Sequence, residues 1–121
     1  MNKEQAIHSF WSSFGVPAYD ENTVPDGAQL PYITYEVSTD VFNNEVISSA
    51  SIWDRGTSWG TVTNILNLIS EELGVGGTTR KYEGGLMWIK RGTPFSRRIP
   101  DDNQEIRHIS INIETEYISS L

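Results

Sequence analysis

Residues 30–39, LPYITYEVST, alternate strictly: Ile33, Tyr35 and Val37 point one way, and Thr34, Glu36 and Ser38 the other. A period of two built from β-branched and aromatic residues predicts a half-buried strand. Pro31 lacks a backbone N–H and is tolerated at a strand's entrance, so it marks where pairing begins. One apolar and one polar face imply a sheet covered on one side only. The rest of the chain is read as what covers, extends or borders that sheet.

Before it, residues 2–14 predict a helix. Asn2 stands at the cap with Gln5 in capping-box position, and Ala6, Ile7, Phe10, Trp11 and Phe14 share one face. That aromatic face either packs on the sheet or binds a partner. Gly15 and Pro17 end the helix. Residues 19–29 hold Asp20, Asn22, Pro25, Asp26 and Gly27 and read as a loop. The acids Asp20, Glu21 and Asp26 do not follow the spacing of an EF-hand calcium loop. A connection over 40–45, with Asn43-Asn44 available for positive φ, leads to a second strand over 46–53, VISSASIW, whose serines leave its buried side open.

Thr57 or Ser58 then caps a helix running to about Leu73. Val62, Ile65, Leu66, Ile69 and Leu73 form its apolar stripe, with Trp59 at the start and Gly74 at the C-terminal cap. Burying each large apolar side chain contributes roughly 1.5–3 kcal/mol. Residues 78–91 read as a hairpin turning at Gly84-Gly85, which sets Tyr82 opposite Met87, Arg80 opposite Ile89, and Lys81 opposite Trp88 in a cation–π pair worth about 0.5–1 kcal/mol. Residues 92–103, GTPFSRRIPDDN, read as a long polar loop and a contact surface. Residues 104–118 read as the longest strand, with a change of face near Ile106 and His108 that suggests a bulge or a separate strand end. The predicted fold class is therefore α+β: an antiparallel sheet of about four to five strands with two helices packed on one face, in a single domain over 1–121.

Charge is unevenly spread in a chain of net charge −7. Residues 80–98 hold six of the nine basic residues (Arg80, Lys81, Lys90, Arg91, Arg97, Arg98) and one acid, Glu83. An acidic body with one basic edge argues against a nucleic-acid-coating domain, which is basic overall. It suits either a subunit docking that edge on an acidic neighbour, a second copy included, or a solvated surface hairpin.

Enzyme chemistry finds no signature. The two histidines are His8, on the polar side of a helix, and His108, on the polar face of a strand, with no G-x-S-x-G or H-E-x-x-H pattern around them. Glu71-Glu72 and Asp101-Asp102 are adjacent in sequence rather than converging across a cleft. Residues 74–77, GVGG, follow a helix and precede a strand, the reverse of a phosphate-binding loop. There is no cysteine, so disulfides and thiolate metal sites are excluded. No run of 18 apolar residues is present, and the N-terminus lacks a signal-peptide pattern. The expectation is a non-enzymatic protein without cofactor or metal, made in a cytosol.

A helix, a Pro/Asp/Gly-containing loop and then Pro31-Tyr32-Ile33-Thr34-Tyr35 resembles the tail completion, or tail terminator, proteins of long-tailed bacteriophages and prophages. The likeness continues through the central amphipathic helix and a hairpin to the long final strand; Trp53-Asp54 is not tied to the family pattern. The resemblance implies a virion protein of the tail, assembled in the bacterial host cytoplasm. It would form a ring, commonly a hexamer, at the head-proximal end of the tail tube, where it stops tube polymerisation and meets the head–tail connector. Its partners would be itself, the tail tube protein and the connector, with DNA only as passing cargo and no membrane. On this reading Lys90, Arg91, Arg97 and Arg98, with Asp101 and Asp102 beside them, face an acidic neighbour or line the lumen. A head–tail connector or other minor tail subunit, and a small cytosolic ligand-binding module, are the other readings.

Overall fold

The computed structural model describes residues 1–38 and 45–119. The Asn43-Asn44 connection and Thr39 lie outside the described residues. The N-terminal helix α1 (Lys3–Trp11) forms where the capping box predicts it. Asn2 Oδ1 accepts from the Gln5 backbone N–H at 2.8 Å, and Gln5 Oε1 accepts from the Asn2 N–H at 2.9 Å. A tighter 3₁₀ turn, Ser12–Phe14, completes it, and Gly15 leaves at φ 83°, a left-handed conformation that favours glycine. Phe10, Trp11 and Phe14 pack edge to face, with ring centroids of Phe10 4.9 Å from Trp11 and 5.3 Å from Phe14. All three are buried.

The sheet corrects the predicted fold class. Among the described residues it has six strands in the order β1-β2-β3-β6-β5-β4, and it is mixed rather than antiparallel. The strands are β1 (Ala18–Asp20), β2 (Tyr32–Tyr35), β3 (Glu45–Arg55), β4 (Thr78–Tyr82), β5 (Gly85–Ile99) and β6 (Ile106–Ser119). β1 runs parallel to β2, Ala18 opposite Ile33, while every other pair is antiparallel. The long central strands curl into a half-barrel. The short helices, α1 and α2 (Gly60–Leu73), fill its hollow instead of lying across an open four- or five-stranded sheet. Among the described residues no helix is long and apolar enough to cross a membrane.

Four local expectations are corrected as well. Tyr19 and Asp20 of β1 fall inside the stretch read as loop, because three residues are too few to show a period. The polar loop over 92–103 is mostly strand: β5 runs to Ile99, leaving only 100–105 as a connection. What disguises it is a bulge. Arg91 pairs with Ile113 and Ser96 with Ile111, so the four residues 92–95 stand opposite Asn112 alone. Pro94, whose missing N–H would break a regular ladder, is accommodated there. The Asn112 amide donates to the Pro94 carbonyl at 2.9 Å. Neither a bulge nor a separate strand end divides β6 near His108, since its pairing with β3 is unbroken from Arg55–Ile106 to Glu45–Glu116. Finally, the β4–β5 turn is Glu83-Gly84, Gly84 having φ 93°, which shifts the register by two. Arg80 therefore faces Met87 and Lys81 faces Leu86; the cation over Trp88 is Lys90, at 4.4 Å.

α2 starts at Gly60 with Trp59 at its N-cap and no side chain capping it; Ser58 Oγ accepts from the Gly60 N–H at 3.0 Å. Val62, Ile65, Ile69 and Leu73 are buried, Leu66 is half-buried and Leu68 is exposed. Register sorts the sheet into two faces. Toward the helices point Ile33, Ile52 and Ile109, then Tyr35, Ala50 and Ile111, then Ile113, Ile89, Met87 and Tyr117. Away from them point Tyr32, Trp53 and His108, then Thr34, Ser51 and Ser110, all on strands that alternate.

Candidate functional site

A strand directs neighbouring side chains to opposite faces. The basic pairs Lys90-Arg91 and Arg97-Arg98 both lie on β5 and are therefore each split across the sheet. Arg91 pairs with Ile113 and Arg98 with Ile109, on the helix side. Lys90 pairs with Glu114 and Arg97 with Ser110, on the opposite side. The bulge keeps this sorting in step: it moves the helix-facing parity from Arg91, an odd position, to Ser96 and Arg98, even ones.

On the helix side the arginines are tied to the fold. Arg91 Nη2 donates to the Ser70 carbonyl at 2.8 Å, in the last turn of α2, where a cation stabilises the helix dipole. Arg80 Nη2 meets Glu72 Oε1 at 2.6 Å and holds that carboxyl below the usual carboxylate range. Arg98 lies over the Trp59 ring at 4.5 Å. Arg107, which was not singled out in the sequence, approaches the same ring at 5.3 Å and donates from Nη2 to the Thr57 carbonyl at 2.8 Å. It shares strand parity with Ile109, Ile111 and Ile113, and an arginine in an apolar series is the signal that marks it. Asp101 Oδ1 accepts from the Asn103 N–H at 2.8 Å and shapes the β5–β6 connection, while Asp102 is exposed.

The opposite face carries an aromatic row. Tyr19 and Tyr32 meet edge to face at 5.5 Å, and Trp53 stacks on His108 at 3.7 Å with an interplanar angle of 16°. Trp53 Nε1 donates to Thr34 Oγ1 at 3.0 Å. His108 is half-buried rather than a plain surface residue. Its Nε2 has no hydrogen-bond partner among the described residues, and burial pushes its pKa below the ordinary value while Asp101 pulls weakly the other way. His8 instead shares hydrogen bonds with Tyr35 (2.9 Å) and Ser12 (3.2 Å) on the surface of α1.

Room for a small molecule is scarce beneath α1. The cavity lined by Trp11, Glu36, Ser48, Ile113, Thr115 and Tyr117 has about 10 Å³, space for a single water. Among the described residues no group of three or more His, Asp or Glu side chains converges as metal ligands would. The described residues offer charged and aromatic surfaces and open depressions such as the one of about 520 Å³ lined by Phe14, Leu68, Glu71 and Arg80.

The sequence matches no protein-family model and no curated protein. Among solved structures, the fold is similar to a chain from the virion of a native gene transfer agent particle. The TM-score is 0.65 at 15% identity, over 96% of this chain and 94% of that one. At that identity the likeness is one of fold, over nearly the full length of both chains.

Proposed function

We propose that this chain is a structural protein of a phage or phage-derived virion. It forms a ring, a hexamer in our reading, at the head-proximal end of the tail tube, ends tube polymerisation there and joins tail to head. The observation that carries the proposal is the end-to-end fold likeness to a chain of a virion particle. The Pro31-Tyr32-Ile33-Thr34-Tyr35 phrase supports the tail-terminator position within that class. A closed ring needs two different patches that meet around a rotation, and the uneven charge of the chain, basic over 80–98 and acidic elsewhere, is compatible with such a pair. No catalytic role is assigned, and its partners are further copies of itself, the tube protein and the connector.

The test is assembly on a template. Purified protein is added to tubes grown from the matching tube protein and imaged by negative-stain electron microscopy. Tubes that bear a ring at one end and cease to grow support the reading. Tubes that lengthen unchanged overturn it. A head–tail connector is the second reading, because likeness to a virion chain favours it equally; it predicts that the protein decorates filled heads and leaves tubes alone.

A further inference from the structure

Near each end of α2 one exposed charged side chain, Arg98 at the start and Glu71 at the finish, has no ion pair among the described residues. At its N-terminus the guanidinium carbons of Arg98 and Arg107 lie 4.5 and 5.3 Å from the half-buried Trp59 ring. Arg107 is committed to the fold, donating to the carbonyls of Gln104, Ile106 and Thr57. Arg98 is exposed and makes no hydrogen bond or ion pair among the described residues. The first turn of α2 holds no acid, so the helix dipole adds to the positive potential there instead of being offset.

At the other end, the 3₁₀ turn and α2 frame a shallow depression lined by Ser13, Phe14, Leu68, Glu71 and Glu72, with Arg80 at its side. Arg80 engages Glu72. Glu71 is exposed and has no ion pair among the described residues. Leu68, one turn before it, is 49% exposed, and Val75, just past the helix, is fully exposed. Among the other exposed acids, Glu83 and Glu105 are ion-paired, and Asp101 is spent on a turn.

One patch is an aromatic side chain flanked by cations; the other is a mixed depression in which Leu68 stands beside the unpaired Glu71 and the Glu72–Arg80 pair. Twelve residues of helix separate Trp59 from Glu71, about 18 Å at 1.5 Å per residue, so the two cannot meet within one chain. We propose that they meet between copies: the Trp59–Arg98–Arg107 cluster of one subunit docks in the Phe14–Leu68–Glu71 depression of the next, with Arg98 paired to Glu71. This is a heterologous, head-to-tail contact, and it rests on the ring reading above. A second copy fits better than nucleic acid. The chain's net charge of −7 repels a polyanion, and Asp101 and Asp102 follow Arg98 in the sequence, adding two negative charges to the same connection.

The absence of cysteine makes the contact testable with the charges left in place. Thr57→Cys and Asn67→Cys, exposed positions beside the two patches, are made in separate samples of the full chain. They are mixed and treated with a short bis-maleimide. The expected result is a 57–67 cross-linked dimer in several-fold excess over the control mixture of Thr57→Cys with Gln5→Cys. Arg98→Glu in the Thr57→Cys chain abolishes the excess, and Glu71→Arg in the partner chain restores it. No excess over the control, an excess indifferent to Arg98→Glu, or an excess removed by equimolar short duplex DNA overturns the proposal. Tubes capped without this cross-link leave the ring standing on another contact; the cross-link without capping leaves the contact and removes the ring.

Discussion

Replacing Gly92 by Ala tests the feature that most alters the fold, the bulge in β5. A Cβ built on Gly92 meets Asn112 Cβ at 2.8 Å and the Asn112 backbone carbon and oxygen at 2.9 Å each. Carbon atoms prefer about 3.5–4.0 Å, so the intruding methyl is too close to three atoms by roughly 0.6–1.2 Å. Two of the three are backbone of β6, which β3 holds from one side and β5 from the other. They cannot rotate away as a side-chain tip would. Overpacking of this kind costs about 1–3 kcal/mol. At this chain length each kcal/mol moves the melting midpoint by about 4 °C, so Gly92→Ala should melt roughly 4–12 °C lower. Gly76→Ala is the control: its Cβ meets nothing within 4 Å and its φ is not positive. It should be neutral or stabilise by about 0.4–1 kcal/mol through the unfolded chain. Thermal and urea unfolding followed by fluorescence of the four tryptophans reads both. Equal midpoints for the two variants would refute the reasoning, because an alanine at 92 is harmless only if residues 92–103 form an open loop and not a strand laid over Asn112.

Three further outcomes follow from contacts already described. Asn2→Ala removes the acceptor in the α1 capping box and should lower stability by about 1 kcal/mol in urea unfolding. Thr34→Val leaves the Trp53 indole N–H without its 3.0 Å acceptor; because Trp53 is half-buried, the cost should sit near the low end of the about 1–3 kcal/mol range for an orphaned donor. His108 should make stability fall in mild acid. Its pKa is lowered by burial in the fold, so the unfolded chain binds the proton more readily and stability rises with pH across the interval between the folded and unfolded values. The loss therefore begins as pH falls through about 6.5, the unfolded value. Above that pH the group contributes no slope. His108→Phe keeps a ring on Trp53 and should flatten the dependence of the melting midpoint between pH 7.5 and 5.5; an unchanged slope would assign it to other groups.

Long elements with a clean period were legible in the sequence, and short or interrupted ones were not. α1 could be read to its capping residues because Asn2 and Gln5 act locally, within one turn. α2 could be read from Val62, Ile65, Ile69 and Leu73, all buried as the stripe predicts. β6 alternates from Ile109 to Ile113 and again at Tyr117, and each of these is buried. β1 escaped notice because three residues have no period, and its reason for being a strand is the parallel partner β2, more than ten residues away. β5 escaped for a different reason: Gly92 and Pro94 are loop-forming by local propensity. Here they serve a bulge whose requirement, the close approach of Asn112, exists only once β6 is in place.

The same bulge decides what the basic residues can do. As a loop, residues 92–103 would present Arg97 and Arg98 together, and with Lys90 and Arg91 they would make one cationic edge. As a strand, β5 separates each pair, sending Lys90 and Arg97 to the aromatic, hydroxyl-rich face and Arg91 and Arg98 to the helix side. Arg91 is then taken up by Ser70 at the C-terminus of α2, which leaves Arg98 and Arg97 as cations on two different surfaces. A double reversal of Arg97 and Arg98 thus combines two perturbations. Arg97→Glu alone should alter whatever the open sheet face meets, while Arg98→Glu alone should break the contact at the start of α2. If the two single variants weaken tube capping equally and the double variant no further, they share one surface, and the placement of residues 96–99 on β5 is wrong.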